Sequence, residues 1–185
     1  MSLQEFAISA PELARALLGT VLLHGETAGM IVETEAYLGG DDLASHSARG
    51  LTERTKVLFG PPGRAYVYLI YGIYECLNVV SGVDGTPGCV LLRALVPLCG
   101  LPLMYKRRKI NGSPIALTNG PGKLTQALGI TRRHYGKRLD RGALTIRRWR
   151  ELPDFETAVT PRIGISQCVD WPLRFVWAGH PCLSR

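Results

Sequence analysis

The sequence predicts an α+β fold, a curved antiparallel β-sheet with flanking helices, and three observations carry that expectation. The first half of the chain holds short strand-like runs at 20–24, 29–38, 64–71, 76–82 and 88–98, divided by Gly and Pro. The spacing between paired runs leaves no room for a crossover helix, so antiparallel meander pairing is expected over parallel βαβ units. Helical patterns lie beside the strand cluster, not between its members.

In chain order, the first element is a helix. Ser9 opens an S-x-x-E capping box closed by Glu12, Pro11 suits an early helical position, and Leu13, Ala16 and Leu17 form an apolar stripe that Gly19 ends. The five strand runs follow. Residues 100–109, GLPLMYKRRK, read as a short basic helix, and 119–130 as a Gly/Pro loop leading into another. Residues 142–149 read as a further strand. No repeat, low-complexity tract or linker interrupts the 185 residues, so one domain spanning 1–185 is expected.

Composition narrows the class. A hydrophobic share of 46%, with 20% charged residues, describes a globular chain and not a disordered one. The longest apolar run, around Cys89–Leu92, is strand-sized, far short of the roughly 20 residues of a membrane span. The opening MSLQEFAISAPEL lacks a basic stretch followed by an apolar one, so no signal peptide and an intracellular setting are expected. Five cysteines show no CxxC pair or short Cys/His spacing, which argues against a zinc site and a disulfide framework alike. No metal is expected, and most of these cysteines read as small core residues.

Charge is unevenly spread. The net +7 divides into −5 over residues 1–92 and +12 over residues 93–185. A surplus so concentrated fits a polyanion footprint, most simply nucleic acid, and it fits solvated basic helix faces equally well.

Two segments bring chemistry. In MIVETEAYL a period of two puts Ile31, Glu33, Glu35 and Tyr37 on one face and Val32, Thr34 and Ala36 on the other. Paired carboxylates on an otherwise apolar strand suit general-base work, although an isolated E-x-E is more often a solvated strand surface. AYVYLIYGIY then supplies Tyr66, Tyr68, Tyr71 and Tyr74 within nine residues. Gly72 allows a tight turn that would leave Tyr71 and Ile73 at an exposed hairpin tip. Aromatic platforms stack bases and an apolar tip can part base pairs, while a Tyr-rich packed strand is the plainer reading.

These residues carry a resemblance. IVETEAYLGGDDLASHSARG, FGPPGRAYVYLIYGIYECLNVV, CVLLRALVPL and NGPGKLTQALGI, followed by PRIGI and DWPLRFVWAGHP, resemble in order the signature blocks of the alkyladenine (3-methyladenine) DNA glycosylase family. The resemblance covers nearly the whole chain and implies one mixed domain with a protruding β-hairpin. It implies catalytic roles for Glu35, which would activate the hydrolytic water, and Arg93, which would help hold it. Tyr37 and Tyr68 would sandwich a flipped base, with His46 on the remaining side. Asn78 would crowd a 2-amino group and so disfavour normal guanine. Tyr71, with Ile73, would fill the space the nucleotide leaves. Glu53, Thr55 and Ile73 depart from the family pattern of Pro, Asn and commonly Met.

The activity so implied is monofunctional hydrolysis of the N-glycosidic bond of alkylated or deaminated purines in duplex DNA, by a monomer without a cofactor. Arg54, Lys106, Arg107, Lys123, Arg132 and Arg133 are the candidate contacts to the DNA backbone. Two other readings remain at this point: a damaged-duplex binder that does not cut, and an RNA-directed protein of the same fold. Glu33 stays outside the catalytic set, and His24, His134 and His180 have no partner the sequence names.

Overall fold

The Ser9 capping box forms as the sequence requires: Ser9 Oγ accepts from Glu12 N, and the Glu12 carboxylate accepts from Ser9 N at 3.1 Å. It opens helix α2 (Ala10–Leu17), which a single turn, α1 (Leu3–Phe6), precedes. Leu13, Ala14 and Leu17 of α2 are buried in the main core with Ile31, Ala36, Leu92 and Leu95. The structure, a computed structural model, describes residues 1–149, 151–152 and 154–184.

The strands are β1 (Val21–His24), β2 (Thr27–Leu38), β3 (Ala65–Ile70), β4 (Tyr74–Val80), β5 (Gly88–Cys99), β6 (Leu144–Arg147), β7 (Thr157–Thr160) and β8 (Arg174–Trp177). They pair antiparallel in the order β3-β4-β5-β2-β1-β6. One edge of the twelve-residue β2 follows β5, while its other edge takes β1 first and then β8, which carries β7. This branching curls the sheet into a half-barrel. Helices α3 (Leu101–Arg108) and α4 (Pro121–Leu128) complete the single α+β domain, as the sequence predicts. Among the described residues no helix is long and apolar enough to cross a membrane.

One expectation about β2 fails. Ile31 pairs with Leu95 and Glu33 with Ala94, so Val32 has no opposite residue; Thr34 then pairs with Leu92, which leaves Arg93 unopposed. A bulge on each strand breaks the two-residue period. Ile31 therefore joins Ala36 in the main core, and Val32 sits in a separate cluster with Ala94 and Cys182. The same irregularity frees the Arg93 side chain to reach both acidic residues of β2.

The hairpin is as sharp as the sequence implies. Tyr71 (φ +53°) and Gly72 (φ +71°) are both left-handed, and Ile73 N donates to Ile70 O at 3.2 Å. That is a type I′ turn, whose twist matches the flanking strands. Gly72 adopts this conformation at no steric cost, whereas Tyr71 pays for it. Next to its turn the hairpin packs on α4: a Cβ on Gly122 would stand 2.9 Å from Tyr74 Cβ, so only glycine permits this approach.

Candidate active site

Beside the hairpin opens a cavity of about 880 Å³, lined among others by Tyr37, Tyr68, His46, Asn78 and Arg93, with Tyr71 at its edge. The fold thus brings together all the pocket residues the sequence singles out. Tyr71 is 80% exposed and Ile73 68%, a pair of large apolar side chains that nothing in the domain covers.

Glu35 lies just behind this lining with no exposed surface of its own, touching three residues that line the cavity: Tyr37, Arg93 and Ile163. Its Oε2 accepts from Tyr37 OH at 3.0 Å and Arg93 Nη1 at 3.2 Å, and its Oε1 accepts from Ile163 N at 2.7 Å. Burial, then the neighbouring Glu35 charge, push the Tyr37 phenol far above its ordinary range, so it remains a donor. A carboxylate offers about four acceptor positions, and three are taken here. One is left on Oε1.

Glu33 is wholly occupied instead. It accepts from Arg174 Nε (2.7 Å), Ser184 N (2.5 Å) and Ser184 Oγ (2.8 Å), and Arg93 Nε lies 3.3 Å away. It therefore acts as a buried clamp on the C-terminal segment, joined to Glu35 through the shared Arg93.

His46 Nδ1 lies 2.8 Å from Tyr66 OH, and its ring meets Tyr68 edge-on at 4.6 Å. Burial first, then Arg54 and Arg49, lower its pKa to about 4, so the imidazole is neutral at physiological pH. Asn78 Nδ2 donates to Tyr66 O at 3.1 Å, and Cys89 Sγ lies 3.8 Å from Asn78 Oδ1. These contacts fix which way the amide faces. Burial raises the Cys89 thiol to about 12 and the cavity-lining Cys76 to about 11, so neither is a thiolate nucleophile. Cys76, Cys89 and Cys182 are buried as the sequence suggests, but Cys99 is exposed and Cys168 half-buried.

The basic residues divide. Arg54 and Lys123 border the cavity, as do Arg49 and Arg108. Arg54 also lies 5.1 Å over the Tyr68 ring. Arg132, paired with Glu75 at 3.2 Å, borders a smaller neighbouring hollow that Arg54 shares. Lys106 and Arg133 are exposed away from both. Arg107 Nη1 donates to Ala127 O at 3.0 Å, a cap on the end of α4.

Sequence reasoning missed several residues around the site. Arg162 and Asp42 form a buried bidentate pair behind Tyr37, Ile163 holds Glu35 through its amide, and Arg174 and Ser184 hold Glu33. The PRIGI block contains Arg162 and Ile163, but nothing local shows what they touch. His24 and His134 also prove to be partners, with their Nε2 atoms 3.1 Å apart. Among the described residues no group of three or more His, Cys, Asp or Glu side chains is placed to hold a metal.

Comparison with known proteins finds relatives along nearly the whole chain. Relatives provisionally named 3-methyladenine DNA glycosylase include a protein of Methanoculleus marisnigri, 49% identical over 94% of this chain and 92% of its own length. A Rhodopseudomonas palustris protein of the same description is 49% identical over 97% of this chain and 85% of its own. One from Chlorobaculum tepidum is 45% identical over 94% and 85%. The sequence profile of the methylpurine-DNA glycosylase family matches residues 4–181, nearly the whole domain including Glu35, Arg93 and the hairpin, and the chain belongs to that family.

Proposed function

We propose that this chain is a monofunctional DNA glycosylase that turns alkylated or deaminated purines out of duplex DNA and hydrolyses their N-glycosidic bond. The observation that carries the reading is Glu35, braced by Arg93 and set directly behind the wall of an aromatic cavity beside an exposed apolar hairpin tip. The bond is shielded inside the duplex, so the nucleotide must leave the stack before chemistry. Tyr71 and Ile73 enter the gap, and the base stacks between Tyr37 and Tyr68 with His46 at its edge. Bond breaking builds oxocarbenium character on the sugar, which the Glu35 anion stabilises while its spare acceptor position takes a proton from water. Arg93 helps orient that water.

Purines alkylated at N3 or N7 are already cationic while attached, so they take the bonding pair and leave as neutral bases without an added proton. Neutral lesions need a proton, and the lining acids hold theirs tightly: burial raises the Tyr68 phenol and puts Tyr66 at about 12. Incubation with duplexes each carrying one lesion (3-methyladenine, 7-methylguanine, hypoxanthine or ethenoadenine), followed by scoring of abasic sites, tests the reading. Binding without abasic sites would favour a non-cutting damaged-duplex module, and faster cutting of the same lesion in RNA would favour an RNA-directed enzyme.

Tyr71 acts on flipping, not bond breaking. Tyr71→Ser is expected to slow excision most from stably paired duplex and least from mismatched or single-stranded substrate. Equal losses on all three would make Tyr71 a packing residue. Asn78→Ser should raise removal of guanine derivatives relative to hypoxanthine, because the fixed amide leaves no room for a 2-amino group. An unchanged ratio places the discrimination elsewhere.

Salt titration tests the charged surface. If four to six phosphates are neutralised, log affinity should fall against log salt with a slope of about −4 to −5. Lys123→Ala and Arg54→Ala should each flatten it by about one unit. Arg107→Ala should leave the slope alone and lower stability instead, because its guanidinium caps α4.

A further inference from the structure

Arg162 makes more contacts to the walls of the cavity than any role yet assigned to it requires. Its side chain and that of Asp42 have no exposed surface. Arg162 Nη1 and Nη2 donate to the two Asp42 oxygens at 2.7 and 2.8 Å, a forked pair across 120 residues of sequence. Nη1 also donates to Ala36 O at 3.1 Å, the carbonyl between Glu35 and Tyr37. The guanidinium carbon lies 4.7 Å from the Tyr37 ring centroid. The next residue, Ile163, supplies the amide that holds Glu35 Oε1. Asp42 in turn accepts from Leu38 N at 2.9 Å and Ala44 N at 3.2 Å, which fixes the loop that delivers His46.

One guanidinium is thus tied to the strand that bears Glu35 and Tyr37, to the loop that bears His46, and to the segment that bears Ile163. A purely structural pair could have been apolar: a buried ion pair is often no more stabilising than a well-packed hydrophobic substitute. Its planar fork, however, fixes orientation as well as position, which a hydrophobic contact does not. The cation over Tyr37 sets the tilt of that ring, and the Tyr37 hydroxyl reaches Glu35.

We propose that the Arg162–Asp42 pair is a positioning element for excision, holding Glu35, Tyr37 and His46 in one register so that base and water meet the carboxylate in reactive geometry. The proposal rests on the glycosylase reading above. Reactive geometry is exacting, and small misplacements cost rate out of proportion to binding. Arg162 therefore acts through other residues and touches neither base nor water.

The test is single-turnover excision from a duplex with one ethenoadenine, alongside affinity for undamaged duplex and thermal unfolding. Arg162→Lys keeps the charge and loses the fork. The double variant Asp42→Asn with Arg162→Gln removes both charges and keeps a hydrogen-bonded pair, so no buried ion is left alone if the lysine variant fails to fold. The double variant is expected to fold, to bind undamaged duplex within about twofold of the parent, and to excise at least about thirtyfold more slowly. Excision by the folded double variant within about threefold of the parent would overturn the proposal and make the pair structural only. Glu35→Gln in the same assay separates the two readings. If the unaltered protein leaves no abasic sites, the glycosylase chemistry itself fails; if Glu35→Gln cuts normally, the role given to Glu35 fails, and with it the positioning role built on it. If Glu35→Gln is inactive and the double variant is not slowed, only the positioning role fails.

Discussion

Glu35→Gln is expected to slow excision by about a thousandfold or more, roughly 4 kcal/mol of transition-state stabilisation. In the proposed mechanism the carboxylate is both the base that deprotonates water and the anion that faces the developing positive sugar, and an amide can be neither. The introduced amide can still accept from two of the three donors now on Glu35, but its NH₂ must face either Arg93 and Tyr37 or the Ile163 amide. A modest loss of stability should therefore accompany the loss of rate. Affinity for lesion duplex should survive, because a negative charge near phosphate has been removed. Single-turnover abasic-site formation and duplex binding, measured side by side, check both halves. Near-normal excision would displace Glu35 from its role.

What the sequence revealed, and what it hid, follows the distance over which each signal acts. The hairpin was legible because its cause is local: Tyr71 and Gly72 make the turn and nothing distant is needed. The Ser9–Glu12 cap of α2 was legible for the same reason. Glu35 and Tyr37 could be placed on one strand face because the two-residue period holds beyond Glu33. It fails at Ile31 and Val32, because a bulge is a property of the pair of strands and not of either alone. The two short strands Thr157–Thr160 and Arg174–Trp177 were not read at all, being four residues each in Pro-rich surroundings with no long alternation to mark them. Neither was the single turn Leu3–Phe6.

The supporting residues of the site were hidden most thoroughly. Asp42 and Arg162, or Glu33 and Ser184, are joined across 120 and 151 residues, and each looks like an ordinary polar residue in its own stretch. The charge surplus was similarly ambiguous. It was counted correctly, but only the folded chain separates Lys123 and Arg54 at the cavity rim from Arg107, which caps a helix.

Arg93 is a residue whose loss should damage the fold. It is buried at the bulge of β5, donates to Glu35 Oε2 and Ser184 Oγ at 3.2 Å, and lies 3.3 Å from Glu33. Arg93→Met keeps much of the volume and removes the charge shared by two fully buried carboxylates. Glu33 retains Arg174 at 2.7 Å, but Glu35 is left with only neutral donors, Tyr37 OH and the Ile163 amide. Removing one partner of a buried pair costs roughly 3–5 kcal/mol, because the remaining charge is uncompensated. For a domain of this size that corresponds to a fall in Tm of about 10 °C. Arg93→Lys should fall between, since one ammonium cannot replace both Nε and Nη1. The uncompensated charge makes a further demand: adding Glu35→Gln to Arg93→Met should recover part of the stability, so the double variant is more stable than the sum of the two losses. Thermal or denaturant unfolding of the four proteins checks this. A Tm for Arg93→Met within about 2 °C of the parent, or strictly additive losses in the double variant, would mean that Arg93 does not neutralise Glu35 in the folded protein.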